Sequence, residues 1–358
     1  MGGLKVKVKV SDILDIYENE VSINTKNKRK IYNFEKNKME NIYDIKSIIE
    51  GNNYRIYKYN IFSISSPKYR IVMSLNMKDK IINHYVSRFI LIPKLEKYLD
   101  IRNCATRKNM GYDYAINLVK RYIELNKKYG KFYILKIDIS KYFYSIDHNV
   151  LKSMIIDKLD DDEYNIVCNI IDSTNYDYVN LCIKSIKNHL LDKDKNRRLE
   201  IDKLPLYDYD KGLPIGNMTS QFLSIFYLYW LDHYIVNNLG LKYMVRYMDD
   251  YIIISNDKDK LKRELENISF ILKYKYKLDI NVNKTNIYDC CSGFEYLGYI
   301  FSVKNNKTII RVKSQNNRRR LYNMKKNYYL YRMGYISFKR FFNTMSNYNN
   351  CYKHSVRY

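Results

Sequence analysis

Tyr247-Met248-Asp249-Asp250 stands between two apolar runs, Tyr243-Met244-Val245 and Tyr251-Ile252-Ile253-Ile254. The pattern predicts a β-hairpin whose tight turn presents two carboxylates. Side chains alternate faces along a strand, so one acid points into a cleft and its neighbour elsewhere. Taken alone, an Asp-Asp pair also fits ordinary turn chemistry, because Asp bonds its own backbone in turns.

A second acid lies about a hundred residues upstream, in Phe132-Tyr133-Ile134-Leu135-Lys136-Ile137-Asp138-Ile139-Ser140-Lys141-Tyr142-Phe143. A β-branched, aromatic-rich strand is expected to end on Asp138, after which the chain turns. Carboxylates converging from the ends of separate strands suit a pair of Mg²⁺ ions in phosphoryl or nucleotidyl transfer, about 3.5–4 Å apart. Mg²⁺ takes one or two carboxylates with waters and substrate phosphates, so Asp138, Asp249 and Asp250 suffice for two ions.

Further blocks follow in order from about Tyr54 to Phe301. They are Ser66-Pro67-Lys68-Tyr69-Arg70-Ile71-Val72, Lys78-Asp79-Lys80-Ile81-Ile82 and Cys104-Ala105-Thr106-Arg107-Lys108-Asn109-Met110-Gly111. After Asp138–Asp147 come Gly212-Leu213-Pro214-Ile215-Gly216-Asn217-Met218-Thr219-Ser220-Gln221, the acidic hairpin, Asn281-Val282-Asn283-Lys284-Thr285 and Phe294-Glu295-Tyr296-Leu297-Gly298-Tyr299. In this order they resemble the reverse transcriptases, and among them the compact bacterial retroelement type related to diversity-generating retroelements and group II introns. The resemblance implies an α+β right-hand polymerase with fingers, a palm whose antiparallel sheet packs on helices, and a small helical thumb.

The resemblance also assigns roles. Asp138, Asp249 and Asp250, with the backbone of Ile139, would hold two Mg²⁺, with Mn²⁺ as an alternative ion. Phe143, five residues after Asp138, would lie under the sugar of the incoming nucleotide and exclude a 2′-hydroxyl; otherwise it is ordinary core. Lys68, Arg70 and Arg107 would reach the triphosphate from the fingers, a guanidinium gripping phosphate bidentately. The other reading of Lys68 is a solvated basic loop. Lys284 would protonate the departing pyrophosphate, or else be one surface lysine among many. Ile215, Gly216 and Gln221 would sit at the nascent base pair, with Gly216 allowing close backbone approach. Gly298, Tyr299 and Arg318-Arg319-Arg320 would contact primer and template.

The template-primer block carries the subfamily signal. Group II intron and retroviral enzymes have Gln-Gly and then Ser-Pro, whereas this chain has Ile215-Gly216 and Ser220-Gln221. The form resembles diversity-generating enzymes, and an apolar Ile215 in place of a hydrogen-bonding Gln implies weaker selection against mispairs. Ser224-Ile225 stands where those enzymes carry Ala-Asn, so a relative serving in phage defence is the competing lineage.

Composition agrees with a polyanion partner. The 63 Lys+Arg against 38 Asp+Glu give +25 over 358 residues, a field that draws nucleic acid. The 40 tyrosines suit base stacking, but Lys, Asn, Ile and Tyr are enriched together, which a gene of low G+C content explains. Cysteines 104, 168, 182, 290, 291 and 351 show no metal-ligand spacing and read as reduced cytoplasmic thiols, with Cys290-Cys291 as local packing. The five histidines form no ligand cluster in sequence. No apolar run approaches the ~18 residues of a membrane span.

The expected organisation is a basic N-terminal segment over 1–50, fingers over 51–130, palm over 131–305 and a thumb-like basic helical tail over 306–358. Lys-Val alternation at Lys5–Val10 reads as a strand or a frayed tail. Asp79–Tyr98 and Tyr112–Leu125 read as helices, Asp192–Asp210 as a charged loop with solvated acids, and Thr308–Val312 as a strand. The basic tail would lie on phosphates without reading sequence, or else be a solvated helix face. The expected activity is RNA-directed DNA synthesis from an RNA template, a DNA or RNA primer and dNTPs. A small accessory protein or noncoding RNA is a candidate partner, and no membrane is. The alternatives are a catalytically silent nucleic-acid-binding scaffold, against which the three intact acids count, and an RNA-templated RNA polymerase, against which Phe143 counts.

Overall fold

In the computed structural model the described residues are 8–51, 54–66, 68–350 and 353–355. Residues 5–7 of the Lys-Val alternation, Pro67 of the first fingers block, Cys351 and the end of the tail at 356–358 lie outside them. The chain forms two compact units built from discontinuous segments. One takes the residues up to Ile101 with Ile139–His233 and Ser269–Ile280; the other takes Arg102–Asp138, Tyr234–Ile268 and the chain from Asn281.

The first unit begins helical. Helices Val10–Ile16, Lys28–Glu35 and Lys38–Glu50 build the segment expected only to be basic, and of the Lys-Val alternation Val8 and Lys9 precede the first helix while Val10 begins it. Their apolar residues recur at helical spacing, with Ile13, Ile16, Tyr17, Ile42, Ile45 and Ile49 all buried. The many lysines obscured that period by crowding the outer faces, where Lys38 pairs with Glu18 and Lys46 with Glu50. Strands β1 (Asn60–Ile64) and β2 (Arg70–Ser74) then form an antiparallel hairpin, with Ile64 opposite Arg70. A helical run follows from Met77 to Tyr98, capped by Asn76, whose side chain accepts from the Asp79 amide.

Later segments add helices His148–Ile155, Asp161–Ile171, Asp177–Lys193 and Met218–Tyr227 to the same unit. The interval expected as a charged loop is partly helical, because Asp177–Lys193 runs into it and Arg198–Asp202 forms a short turn of helix. Its charges support that turn through the i,i+3 pair Arg197–Glu200, at 2.8 Å.

The second unit is a helix-covered sheet. Strands β3 (Tyr133–Asp138), β4 (Tyr243–Tyr247), β5 (Asp250–Ser255) and β6 (Asn286–Asp289) are antiparallel in the order β4-β5-β3-β6. Tyr251 to Ile254 are all buried, so β5 is an unbroken apolar run rather than an alternating one, with both faces covered. Helix Tyr112–Lys127 supplies one cover: Ala115, Ile116, Val119 and Ile123 join a core with Ile134, Val245, Ile252 and Phe301. A second sheet, β7 (Phe294–Tyr296), β8 (Tyr299–Lys304) and β9 (Lys307–Val312), is followed by helices Ser314–Arg332 and Phe338–Asn350. Those helices meet through stacked rings of Tyr331 and Phe341, 5.1 Å apart. Among the described residues no helix is long and apolar enough to cross a membrane.

Candidate active site

Strands β4 and β5 pair Tyr247 with Asp250, leaving Met248 and Asp249 as a two-residue turn. Met248 adopts φ +57°, a left-handed conformation that costs a residue with a β-carbon about 1–2 kcal/mol. Strain of this kind persists where the surroundings enforce it. Here Arg246 does so. Fully buried, it donates from Nη1 to the Met248 carbonyl at 3.0 Å, and its guanidinium lies over the Tyr251 ring at 5.6 Å.

On the neighbouring strand Asp138 is directly opposite Asp250. Like charges in that position destabilise a sheet. Lys284 offsets part of the repulsion, its Nζ donating to both Asp138 oxygens at 2.8 and 3.0 Å. The Asp138 backbone is held by Thr285 Oγ1, which accepts from its amide, and by the Asn281 amide, which donates to its carbonyl at 2.7 Å. Asp250 is left exposed to the conflict: its Oδ1 is buried with no hydrogen-bond partner. Burial, then Asp249 and Asp138, push its carboxyl up to about 7, with Lys136 and Lys284 pulling the other way. Burial opposes the charge on Lys284, but Asp138 and then Asp250 and Asp249 hold its ammonium above the ordinary lysine value. The three acids are not among the groups whose ligand atoms lie within 4.8 Å of one another.

An orphaned carboxylate oxygen beside two more acids is the donor set a hard divalent cation requires. In the metal-free protein the same arrangement has a measurable consequence. A carboxyl whose folded pKa is about 7 stabilises the fold below its unfolded pKa of about 3.9, and that stability is lost as pH rises through 7. Asp250→Asn, which cannot ionise, is therefore expected to raise the stability of chelator-treated protein by roughly 4 kcal/mol at pH 8 and by only about 1–2 kcal/mol at pH 5. Thermal melts of both proteins at the two pH values check this; equal differences at both would refute it.

The chain's reverse transcriptase (RNA-dependent DNA polymerase) family match covers residues 56–301. The chain belongs to the reverse transcriptase family. Among solved structures it is similar in fold to apo telomerase from Candida tropicalis, with TM-score 0.48 and 15% identity over 69% of this chain and 47% of that one. It is likewise similar to telomerase from Candida albicans in complex with a fragment of telomeric RNA, with TM-score 0.49 and 14% identity over 74% of this chain and 47% of that one. The chain thus spans about half the length of these telomerase chains, 47% in both cases. No curated protein matches it.

In this member of the family the other expected site residues divide between the units. In the first, the Ile215 carbonyl accepts from the Met73 amide of β2 at 2.9 Å. Gly216 has φ +127°, and a β-carbon there would meet the Met73 carbonyl oxygen at 2.7 Å. Strand β2 alone therefore requires glycine at this position. Gln221 is exposed at the start of helix Met218–Tyr227. Phe143 is half-buried in the turn Tyr142–Ser145, so it is not core. Lys68 and Arg70 are exposed beside the β1–β2 turn.

In the second unit, Arg107 Nη1 donates to the Asn103 carbonyl at 3.2 Å. The Gly298 carbonyl accepts from the Lys313 amide at 3.1 Å. Tyr299 is only 2% exposed and neighbours the rings of Tyr112 and His354, each about 6.0 Å away. Arg318 and Arg319 are exposed on helix Ser314–Arg332, while Arg320 is half-buried.

Three groups escaped the sequence reading. Arg246 carried a faint signal, a lone charge in an apolar strand. His148 carried none, since its partners are distant in sequence: Nε2 donates to the Gly212 carbonyl at 2.8 Å, and Nδ1 lies 3.2 Å from Asp172 Oδ1. His148, Asp172 and Asp210 bring ligand atoms within 4.8 Å of one another beside Gly212, the start of the Gly212–Gln221 block. Third, the acids of the 192–210 interval are not merely solvated. Asp194 accepts from the Tyr69 hydroxyl at 2.8 Å, and the Arg197 guanidinium lies 4.2 Å from the Tyr69 ring. The tip that carries Lys68 and Arg70 is thereby tied to this interval.

Proposed function

We propose that this chain copies RNA into DNA, joining deoxynucleotides to the 3′ end of a primer. The observation that carries the reading is the opposed pair Asp138 and Asp250, with a buried oxygen on Asp250 that nothing satisfies. Such a pair is unfavourable in a sheet unless something compensates its charge, and Lys284 reaches only Asp138. Divalent cations, Mg²⁺ by the hardness of the donors, would be held by Asp138, Asp249, Asp250 and the Ile139 carbonyl. When bound, they lower the pKa of an attacking hydroxyl and neutralise charge on the leaving oxygens.

The chain's own groups do the rest. Lys284, kept protonated beside Asp138, is placed to give a proton to departing pyrophosphate. Lys68, Arg70 and Arg107 grip the triphosphate, and Phe143 bars a 2′-hydroxyl. Ile215, Gly216 and Gln221 shape the site of the nascent pair. The exposed Arg318 and Arg319, with half-buried Arg320 and Gly298, track the duplex backbone without reading sequence. Template RNA, primer and dNTPs are the partners this implies.

Ile215 supports a narrower reading, a low-fidelity enzyme of the diversity-generating kind. A site without an amide at this position leaves no polar group unpaired when a mismatch enters, and so discriminates poorly. Primer extension on a defined RNA template, followed by sequencing of the cDNA, tests both levels. Product is expected, with misincorporation that Ile215→Gln lowers about tenfold or less, most visibly opposite template adenine. Absence of any cDNA would refute polymerase activity. An accurate parent, or an error spectrum untouched by the substitution, would refute the error-prone reading and favour the defence-associated one.

A further inference from the structure

The turn after β6 gathers Asp289, Cys290 and Cys291, whose ligand atoms lie within 4.8 Å of one another. Their spacing is informative. The two sulfurs are 3.8 Å apart, and Cys290 Sγ is 3.6 Å from Asp289 Oδ1. A tetrahedral zinc site with Zn–S near 2.3 Å and Zn–O near 2.0–2.2 Å has S···S edges of about 3.8 Å and S···O edges of about 3.5–3.7 Å. Both measured separations fall on those edges.

The backbone fixes this geometry from several sides. The Cys290 amide donates to the Phe132 carbonyl at 3.2 Å, and its carbonyl accepts from the Val303 amide at 2.9 Å. Ser292 closes the turn, donating from its amide at 3.1 Å and its hydroxyl at 2.8 Å to the Asp289 carbonyl. Lys131 pairs with the other carboxylate oxygen, Asp289 Oδ2, at 3.0 Å, the kind of outer contact that orients a ligating carboxylate. Cys290 is buried and Cys291 exposed, and both line a cavity of about 910 Å³ that gives access and room for a water ligand.

We propose that Asp289, Cys290 and Cys291 form a binding site for a soft divalent cation of the zinc class, completed by one water from the cavity. The site is separate from the polymerase acids. Asp289 opposes Tyr133 at the start of β3, while Asp138 ends that strand, about 17 Å away at 3.3 Å per residue. The chemistry is separate too: two thiolates select zinc or cadmium, whereas Mg²⁺ prefers oxygen alone. Uptake releases the thiol protons.

The test uses the full chain, reduced and stripped with chelator, titrated with Cd²⁺ in excess Mg²⁺ while the ultraviolet thiolate-to-cadmium absorption is followed. One saturable equivalent, displaced by Zn²⁺, is expected. Cys291→Ser should weaken binding at least about tenfold and Asp289→Asn should weaken it less, while the double variant Cys168→Ser/Cys182→Ser should bind like the parent. Cys291 is the decisive position because it is exposed, so its substitution leaves the core intact. No saturable absorption in the parent, or absorption unchanged in Cys291→Ser, overturns the site.

Discussion

Asp249→Ala is expected to abolish dNTP incorporation on an RNA template, lowering the rate at least about 10³-fold, or ~4 kcal/mol in the barrier. RNA affinity should change little. The loss would be chemical, because Asp249 sits in the turn where its charge raises the Asp250 carboxyl, and removing it relieves repulsion within the hairpin. Binding would survive because a chain of net charge +25 still neutralises phosphates, and one acid fewer adds slightly to that field. Primer extension beside fluorescence anisotropy with labelled RNA, both across a salt series, separates the two effects. A variant that extends primers at more than a small fraction of the parent rate would remove Asp249 from the metal-binding set. A variant that also loses RNA affinity would mean the substitution had damaged the fold.

The parts of this molecule that were legible in sequence are those whose periods are short and whose punctuation is local. The hairpin around Asp249 and Asp250, the strand ending on Asp138 and the helix from Tyr112 each follow from alternation or helical spacing within about fifteen residues. The N-terminal helices were not legible, since lysines and asparagines fill their outer faces and dilute the apolar stripe of Ile13, Ile16 and Tyr17. Residues that act through distant partners were silent as well. Nothing near His148 announces Gly212 or Asp172, and nothing near Arg197 announces Tyr69. Cys290 and Cys291 read as local packing in sequence, and the sulfur separation and the nearness of Asp289 on which the proposed site rests belong to the turn rather than to a spacing motif. Nothing around Gly216 in sequence announces the Met73 carbonyl, which a β-carbon there would meet.

Phe143→Ala is expected to raise rNTP use relative to dNTP by about 10–100-fold, since steric discrimination costs about 1.4 kcal/mol per tenfold. The ring is half-buried rather than packed in the core, so its loss should lower the melting temperature little. Its backbone is nevertheless fixed. The Phe143 carbonyl accepts from the Leu213 amide at 2.7 Å, and the neighbouring Tyr142 hydroxyl donates to the Ser224 carbonyl. A steric gate needs its ring carried on a backbone held in this way. Phe143→Tyr is the control: it retains the ring and should retain the preference for dNTPs. Single-nucleotide incorporation kinetics with matched rNTP and dNTP pairs would measure both variants. If the alanine variant kept the parent ratio, the gate would have to lie elsewhere, and the half-buried Phe143 ring would serve only the packing of the turn it belongs to.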